Sequence, residues 1–404
     1  MLAKKVFPNK PRLAIGIDAG SAFTRCVIFQ LDDAYLRYLG HSEVESGGWS
    51  KGRLTDHLAV QSSIRSAIEA AEDMANVSVD GVVLGIGGSC VEGSNRWGVY
   101  EFARRRRVTQ EQISFAVERV SKGRLDDDRI ILELLPQDFT LDGRAGYRHP
   151  VGSMCSRLEA NVYIITTSQR EHDMMLEAAH LSHVAVEETI FEPIASAYAS
   201  ILPTERRGGV ALIDIGWHST GMVVYDGDAL VLAKSLPVGG DHFTRDVAFG
   251  LKAAYEDAER LKIEYGCAIL GLTADNSLIE IPSPEGRAPR EARRRKLNEI
   301  LEARAEELFF NVKNELAHVG MDQCLLEGVV LTGGGALLNG MCDMAERMLN
   351  CPARNGLVVG VENWPDELSY PAWTTAGGLA MYSARLKSSG GGRKKAPGLV
   401  GLIR

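Results

Sequence analysis

The chain has 404 residues, 45% of them hydrophobic and 24% charged, a composition typical of a globular protein with two or three domains. Its 45 Lys and Arg residues against 53 Asp and Glu residues leave a net charge of −8, which argues against a general nucleic-acid binder. No stretch approaches the ~20 apolar residues that a membrane-spanning helix needs, and the apolar run Leu13–Ile17 is too short for a signal peptide.

The seven cysteines lie between Cys26 and Cys351 and include no CxxC pair, so we expect reduced thiols and a cytoplasmic location. His180 and His183 are three residues apart, but no further ligand residues cluster near them in the sequence. We therefore expect no zinc site.

The first predicted element is a β-hairpin, in which two apolar runs within Ala14–Phe29 flank a glycine turn. Gly20 and Ser21 in that turn would leave backbone N–H groups facing a concavity that suits phosphate oxygens. Asp18, at the end of the first strand, could hold Mg²⁺ through water, because Mg²⁺ keeps several of its waters in proteins. One such hairpin alone would more often be an ordinary structural turn.

The same pattern returns about half a chain later, at Ala211–Tyr225. Such internal repetition predicts two related lobes that each begin with the same hairpin. Two hairpins facing each other would hold a polyphosphate and its metal ion from both sides. The alignment superposes Asp214 on Asp18, Gly216 on Gly20 and Thr220 on Thr24.

Other phosphate-binding motifs are missing. The chain contains no Gly-Lys pair and so no P-loop, and Gly85–Gly88 lacks the last glycine of the dinucleotide fingerprint. Between the two hairpins, a capping-box pattern at Val108–Glu111 predicts a helix start, and strand-like runs follow at Ile130–Leu135 and Ala160–Thr166.

A further glycine corner precedes a predicted helix at Pro237–Asp241, where Gly239, Gly240 and Asp241 could face phosphate. A short amphipathic helix follows and is closed by Gly266. Glu259 and Lys262 share one face of it, because residues three apart on a helix are neighbours. They either form a surface ion pair or bind a ribose.

A last glycine turn follows the apolar strand Val329–Thr332. Gly333, Gly334 and Gly335 have no side chains, so a flat ring could approach their backbone closely.

These pieces, in this order, resemble the actin-like ATPase superfamily, and within it the bacterial cell-division FtsA family over about residues 12–385. Asp18–Thr24 resembles the first phosphate loop, Asp214–Thr220 the second, and Gly333–Ala336, with Ala336 at its end, the adenosine loop. The more specific matching strings are Val238–Thr244, Ala258–Gly266, Leu135–Asp138 and Pro150–Gly152.

The resemblance implies an α/β, actin-like (ribonuclease H-like) fold of two lobes with a duplicated core, and ATP with Mg²⁺ between the lobes on Asp18 and Asp214. The implied divisions are a first core subdomain at 12–85 and 166–205, an FtsA-type inserted subdomain at 86–165, a second core subdomain at 208–237 and 308–385, a cap subdomain at 238–307, and a linker with a membrane-targeting tail at 386–404.

The second phosphate loop departs from the family pattern, because Trp217 and His218 replace two glycines. Trp217 cannot let the backbone approach a phosphate as closely as glycine does, so we expect ATP binding with weak or absent hydrolysis. Glu192 stands where actin-like filaments carry an acidic residue that positions water, and this resemblance makes it the candidate catalytic residue. The alternative is a glutamate that only stabilises a helix N-terminus, with Pro193 in the first turn.

Two basic clusters, Arg104–Arg107 and Arg293–Lys296, are solvated faces by default. A sharper hypothesis concerns Arg287, Arg290 and Arg304, because their segments resemble the part of FtsA where the C-terminal tail of FtsZ docks. Arginines bind carboxylates through charge-assisted and often bidentate hydrogen bonds, which suits an acidic peptide.

The C-terminus changes character at Ser388, where a Ser/Gly linker precedes a basic tract and a short apolar ending. This ending resembles an abbreviated form of the membrane-targeting helix of FtsA. The membrane-contacting residues would be Leu399, Val400, Leu402 and Ile403.

The resemblance therefore implies an ATP-binding division protein that tethers FtsZ filaments to the cytoplasmic face of the cell membrane at the septum. It also implies self-association into filaments and contact with anionic lipid and with other divisome proteins, and the acidic net charge makes us expect no nucleic-acid partner. Two alternatives stay open: an actin-fold kinase for a sugar or another small molecule, and an actin-like adaptor for pilus assembly.

Overall fold

The computed structural model describes residues 12–32, 35–123, 125–227, 229–274, 276–282 and 288–388. Its first lobe begins with a three-stranded meander, a small hairpin and a long helix. These elements are β1 (Leu13–Ala19), β2 (Phe23–Leu31), β3 (Leu36–Glu45), β4 (Trp49–Ser50), β5 (Arg53–Leu54), α1 (His57–Ala75) and β6 (Gly81–Ile86).

The chain then leaves this lobe for an inserted subdomain and returns through one helix, one strand and a short buried helix. The elements are β7 (Glu92–Arg107), α2 (Gln110–Ser121), β8 (Arg129–Leu141), β9 (Arg144–Tyr147), β10 (Met154–Ser168), α3 (Gln169–Leu181), β11 (Ala185–Phe191) and α4 (Glu192–Ser200).

The second lobe repeats the meander and carries a largely helical cap, and a final helix packs against the first lobe. The elements are α5 (Pro203–Gly208), β12 (Val210–Ile215), β13 (Thr220–Asp226), β14 (Ala229–Leu236), α6 (Gly240–Leu251), α7 (Tyr255–Tyr265), β15 (Leu278–Ile281), β16 (Arg290–Arg293), α8 (Arg294–His318), β17 (Val329–Thr332), α9 (Met341–Leu349), β18 (Ala353–Asn355), β19 (Val361–Glu362) and α10 (Thr374–Ser388).

The two core sheets have the same internal order. In the first, β11, β6 and β1 are parallel, and β2 and β3 continue antiparallel; in the second, β18, β17 and β12 are parallel, and β13 and β14 continue antiparallel. The hairpin register is also the same, since Asp18 lies opposite Arg25 and Asp214 lies opposite Gly221, each seven residues on. The duplication predicted from the hairpin sequences therefore extends through the five central strands of each lobe.

The inserted subdomain extends the second sheet rather than the first. Strands β7, β10, β8 and β9 follow β14 in that sheet, and β14 meets β7 at the single bridge Lys234–Glu92. Helix α2 packs so closely on β7 that a Cβ at Gly98 would lie 1.9 Å from the Ala116 carbonyl oxygen. The predicted helix start holds, with its capping bond coming from Gln112 Oε1, which accepts from the Thr109 N–H at 2.8 Å.

Two helices pass between the lobes. Helix α4 packs against β12 and β13, and α10 packs against β1, β2 and α4. The helices approach closely because of small residues: a Cβ at Gly378 would lie 1.8 Å from the Ala195 carbonyl oxygen, and one at Gly16 would lie 2.3 Å from Ala380 N. This packing fixes the edges of the cleft that separates the two hairpins.

In the cap, the basic run Arg293–Lys296 is divided between a strand and a helix. Arg293 ends β16, and α8 begins at Arg294. Strand pairing with β15 fixes Arg293, because it lies opposite Leu278 in that ladder. Among the described residues, no helix combines the length and the apolar character needed to span a membrane.

Candidate functional site

A cavity of about 440 Å³ lies between the lobes, with both duplicated hairpin turns in its wall. Cofactor-sized sites are commonly concave and lie between domains. The residues of the sequence prediction that line it are Asp18, Gly20, Ser21, Glu192, Asp214, Gly216, Trp217, His218, Gly240, Glu259, Lys262, Gly333, Gly334 and Gly335.

Both hairpin turns fold back tightly at a glycine. A Cβ at Gly20 would lie 2.8 Å from the Phe23 carbonyl oxygen, and one at Gly216 would lie 3.0 Å from that of Ser219. The second turn is closed by the Gly216 N–H, which donates to the Ser219 carbonyl oxygen at 2.9 Å.

Thr24 and Thr220 lie outside the cavity wall and brace the turns from behind. The Thr24 hydroxyl is hydrogen-bonded to Ser46 Oγ at 2.7 Å, and the Thr220 hydroxyl donates to the Val238 carbonyl oxygen at 2.7 Å. In each lobe the bond joins the hairpin to the segment just after the third strand. The repeated threonine thus has the same structural position twice.

His218 links the two hairpin turns across the cleft. Its Nδ1 is hydrogen-bonded to Ser21 Oγ at 3.0 Å, although the two residues are 197 positions apart. Its Nε2 lies 3.9 Å from Asp241 Oδ2. Burial is the largest influence on its pKa and lowers it below the ordinary value, against the raising effect of Asp241, so the imidazole is neutral at pH 7.

Asp241 and Gly239 also lie outside the cavity wall. Asp241 accepts from the Tyr255 hydroxyl at 2.5 Å and pairs with Arg245 Nε at 2.7 Å, so its carboxylate supports His218 from behind. Gly239 packs against the second turn, where a Cβ would lie 2.7 Å from the Gly216 carbonyl oxygen. Gly240 begins α6 and does reach the cavity.

Asp18, Asp214 and Glu192 each present a carboxyl group to the cleft wall, close enough to influence one another electrostatically. Burial raises the pKa of Asp18 to about 7; Arg25, 4.0 Å away, opposes this shift and Asp214 adds to it. Burial also raises the pKa of Glu192 well above its ordinary value, and both aspartates add to that shift. Close carboxylates disfavour each other's ionisation, so the site favours a cation.

Asp214 is held differently from its counterpart in the first lobe. Its Oδ2 accepts from the Ser196 hydroxyl at 2.7 Å and from the Thr375 hydroxyl at 3.1 Å. These donors belong to α4 and α10, the two helices between the lobes. Burial raises the pKa of Asp214, and the hydroxyl bonds oppose that shift.

No group of three or more His, Cys, Asp or Glu side chains in the described part of the chain is placed to hold a metal ion by itself. In proteins Mg²⁺ usually binds through one or two carboxylates, waters and phosphates. Asp18 and Asp214 have the chemistry for that arrangement.

Glu192 is the first residue of α4 and packs against the end of β6. A Cβ at Gly87 would lie 1.9 Å from Glu192 Oε2, and one at Gly85 would lie 2.9 Å from its Cγ. Gly85 and Gly87, which belong to the incomplete dinucleotide-binding pattern, thus leave space for this carboxyl group beside the cleft. Its backbone neighbour, the Phe191 N–H, donates to Glu133 Oε1 of the inserted subdomain at 3.2 Å.

Glu259 and Lys262 form the ion pair that their spacing predicted, at 2.7 Å. The Lys262 Nζ also donates to Thr244 Oγ1 at 2.8 Å and to the Gly240 carbonyl oxygen at 3.2 Å, and it lies 4.9 Å from the centre of the Trp217 ring. Burial lowers the pKa of Lys262. The lysine therefore ties α7 to the start of α6 and to the second hairpin turn.

The three glycines after β17 have different surroundings. A Cβ at Gly333 would lie 2.4 Å from Asp214 Oδ1, and one at Gly335 would lie 2.3 Å from Ile215 Cγ2, whereas Gly334 has no atom within 4 Å of that position. Gly334 is thus the open point of the turn. Ala336 is buried behind it and does not line the cavity.

Sequence reasoning missed the apolar residues at this end of the cavity, including Leu337, Leu338 and Ile263. Ile263 is 72% exposed on a helix that the pattern treated as ion-pairing surface. A large apolar residue on a charged helix face was the available signal.

Two of the three predicted peptide-binding arginines, Arg290 and Arg304, lie on the cap, away from the cavity. Arg304 Nε donates to Asp246 Oδ2 at 2.5 Å and its Nη1 to Glu307 Oε2 at 2.7 Å, and Arg290 donates to the Leu251 and Lys252 carbonyl oxygens at the end of α6. Arg287 lies outside the described residues. The residues predicted to contact the membrane, Leu399, Val400, Leu402 and Ile403, also lie outside them.

A shallow groove between α6 and α8 contains Arg304, and we call it the cap groove. Its wall includes Phe249, which is 88% exposed and was missed from the sequence. The lining residues are Asp246, Phe249, Gly250, Lys296, Glu299, Ile300, Ala303, Arg304 and Glu307.

Two lobes with duplicated five-stranded cores, a shared cleft with both hairpin turns, and two helices crossing between them define a protein of the actin-like ATPase fold. Solved structures agree. The chain matches the PilM–PilN type IV pilus biogenesis complex with a TM-score of 0.66 and 17% identity, over 92% of this chain and 98% of that one. It matches MreB5 of Spiroplasma citri bound to ADP with a TM-score of 0.54 and 14% identity, over 94% and 98%. The predicted actin-like α/β fold is confirmed.

The sequence comparisons give the family. The family described as cell division protein FtsA matches residues 211–378, and the SHS2 domain inserted in FtsA matches residues 88–166. Cell division protein FtsA of Pseudomonas aeruginosa is 30% identical over 380 residues, which covers 94% of this chain and 91% of the relative. FtsA of Borreliella burgdorferi is 31% identical over 373 residues, covering 92% and 90%. The chain therefore belongs to the FtsA family of cell division proteins, as the resemblance predicted.

Proposed function

We propose that this protein binds ATP with Mg²⁺ in its cleft and tethers FtsZ filaments to the cytoplasmic face of the cell membrane at the division septum. Self-association into filaments, contact with other divisome proteins and the subdomain limits given above belong to the same proposal. The observation that carries the nucleotide part is the pair of duplicated hairpin turns that face each other around Asp18 and Asp214.

The nucleotide would lie with its phosphates between the two turns. Backbone N–H groups of Gly20, Ser21 and Gly216 would bind phosphate oxygens, and Asp18 and Asp214 would hold the waters of Mg²⁺, which neutralises phosphate charge. Apolar side chains near Gly334 would receive the adenine.

Slow or absent hydrolysis follows from two features of the cleft. Trp217 lies in the second turn at a position where the family pattern has glycine, and its ring centre lies 4.9 Å from Lys262 Nζ. Burial, with the nearby Asp18 and Asp214, raises the pKa of Glu192 well above its ordinary value, so the carboxylate that would accept the proton of an attacking water is disfavoured until a cation binds nearby. Glu192 remains the candidate catalytic residue of this proposal.

The cap groove would receive the acidic FtsZ tail. Arg304 is already paired with Asp246 and Glu307, so a peptide carboxylate would have to exchange with these groups. The exposed Phe249 supplies the apolar contact that such an exchange needs. We expect Phe249→Ala to weaken binding of an FtsZ tail peptide at least tenfold, while Phe310→Ala, an exposed phenylalanine elsewhere on α8, leaves it unchanged.

The tail 386–404 would attach the protein to the membrane reversibly. Burying four apolar residues in the lipid would favour binding by about 6 kcal/mol, and placing four basic residues near anionic lipid would add about 4 kcal/mol. Ordering eight residues would oppose binding by about 8–16 kcal/mol. One tail alone would bind weakly, and several tails on one filament would bind by avidity.

The two alternative functions receive less support. For the kinase alternative, no aspartate in the cleft is assigned to activate an acceptor hydroxyl. For the pilus alternative, the support is a structure only 17% identical to this chain. The FtsA relatives are about 30% identical over nearly the whole chain.

Co-sedimentation of FtsZ with anionic vesicles tests the tether. The full chain should carry FtsZ into the vesicle pellet, and a variant lacking residues 393–404 should leave it in solution. Equal recruitment of FtsZ by both proteins would refute the proposal.

A further inference from the structure

A small hairpin of the first lobe forms part of the cavity wall. Its two strands, β4 and β5, are antiparallel and are joined by the two-residue turn Lys51–Gly52. Trp49, Gly52 and Leu54 line the cavity. The hairpin therefore places its turn at the edge of the cleft between the lobes.

The place of this turn is set by its backbone conformation and by hydrogen bonds at its base. Both turn residues have a positive φ, 49° at Lys51 and 74° at Gly52, and a two-residue type I′ turn requires positive values at both positions. At the base, the Gly48 carbonyl oxygen accepts from the Thr55 N–H at 2.8 Å and from the Asp56 N–H at 3.1 Å. These bonds join the hairpin to the start of α1.

The tip of the hairpin lies against the second turn, which belongs to the other lobe. A Cβ at Gly52 would lie 3.0 Å from His218 Cβ, and a Cβ at Gly88 would lie 3.8 Å from the Gly52 carbonyl oxygen. His218 is also hydrogen-bonded to Ser21 in the first turn, at 3.0 Å. The tip is therefore beside the point where the two turns meet. A nucleotide held between the turns would bring its terminal phosphate to this point.

The charges of the cavity wall leave a phosphate short of cationic partners. The described wall residues include six acidic side chains and two basic ones, Arg25 and Lys262. Both basic residues are already paired at 2.7 Å, Arg25 with Glu43 and Lys262 with Glu259. Unpaired carboxylates repel phosphate, so a triphosphate needs positive charge from elsewhere in addition to its metal ion.

Two basic residues flank Gly52 at the tip. Lys51 and Arg53 are exposed, and within the part of the chain that the structure describes neither forms an ion pair. Neither lines the cavity, but both have long side chains next to a residue that does. Lysine binds phosphate as a point charge, and arginine binds it through several N–H donors. Both side chains could turn to a phosphate without breaking an existing ion pair.

We propose that Lys51 and Arg53 bind the terminal phosphate of a nucleoside triphosphate, so that this hairpin makes the cleft discriminate a triphosphate from a diphosphate. The inference rests on the nucleotide binding proposed above and names the part of the nucleotide that the hairpin recognises. A diphosphate would end before the tip, whereas a triphosphate would bring one more charged group to it. Charge-assisted hydrogen bonds to that group would offset the repulsion from the acidic wall.

The test is titration calorimetry of the full chain with ATP and with ADP, at the same free Mg²⁺ concentration. The variant is K51Q/R53Q, which removes both charges and keeps polar side chains. The matched control is R207Q/K313Q, which removes one arginine and one lysine charge from exposed positions on α5 and α8 of the second lobe. A third protein, K51R/R53K, keeps both charges and tests rescue by the conservative change.

Hydrogen bonds to charged groups typically contribute one to two orders of magnitude in affinity, so K51Q/R53Q should bind ATP about 10- to 100-fold more weakly than the wild type. Its affinity for ADP should change by less than about threefold, because exposed charges without a direct contact contribute little. The control should bind both nucleotides as the wild type does. K51R/R53K should keep most of the preference for ATP.

Two results would overturn the assignment. One is equal weakening of ATP and ADP binding in K51Q/R53Q, and the other is wild-type ATP affinity in that variant. If Asp18→Ala still weakened ATP binding in the second case, the proposed nucleotide site would stand without the hairpin. Absence of ATP binding by the wild type would instead refute the nucleotide site, and this inference with it.

Discussion

Replacing Asp18 with asparagine should stabilise the nucleotide-free protein while it removes the response to nucleotide. Burial raises the pKa of Asp18 to about 7 from an ordinary value of 3.8. The folded protein therefore binds this proton more tightly than the unfolded chain does, and stability is lost as the pH rises from about 4 to about 7. Asparagine has no charge to bury and escapes this loss.

The magnitude follows from ~1.4 kcal/mol for each pKa unit. Relative to wild type, the free energy of unfolding of Asp18→Asn should be higher by about 1.5 kcal/mol at pH 5 and by about 4 kcal/mol at pH 8. With ATP and Mg²⁺ present the order should reverse, because the wild type gains a ligand that binds only the folded state, whereas the variant has lost a carboxylate that holds the metal's waters.

Urea unfolding at pH 5, 6, 7 and 8, with and without ATP and Mg²⁺, measures both effects. Asp226→Asn, an exposed carboxylate on β13, serves as the matched control and should follow the wild type throughout. A constant difference between Asp18→Asn and wild type across this pH range would show that Asp18 is not held neutral by burial. The reasoning about the carboxyl cluster would then be wrong.

Three further predictions concern other contacts in and beside the cleft. Gly87→Ala places a Cβ 1.9 Å from Glu192 Oε2 and should lower ATP affinity at least tenfold by calorimetry; wild-type affinity would contradict the packing of that carboxyl group. Ser21→Ala and His218→Ala remove the same hydrogen bond, so each should cost about 1 kcal/mol and the double variant no more than the worse single one in a double-mutant cycle; additive losses would argue against the contact. Glu133→Leu leaves the N–H that precedes α4 unpaired and should be about 1–3 kcal/mol less stable than Glu133→Gln, which keeps an acceptor; equal stabilities would mean that the N–H finds another partner.

The elements that the sequence predicted well are those whose signal is local. A strand, an Asp-x-Gly turn and a second strand are encoded within about fifteen residues, and the second copy at Asp214 made the duplication visible. The ion pair of Glu259 with Lys262 likewise follows from helical spacing alone.

The contacts that were missed join residues distant in sequence. The Ser21–His218 hydrogen bond spans 197 positions, and the Asp214–Thr375 bond spans 161. Such pairs depend on how the two lobes and the crossing helices pack, which no local pattern encodes. Arg304 shows the same limit, since its ionic partner Asp246 lies 58 positions away and changes how a peptide could bind there.

Titration calorimetry of ATP in the presence of Mg²⁺ tests the central claim most directly, which is that the two duplicated turns hold a nucleotide between them. Wild type should bind ATP at one site, and Asp18→Ala and Asp214→Ala should each weaken that binding at least tenfold. Unchanged affinity in both variants, or no binding by the wild type, would contradict the account.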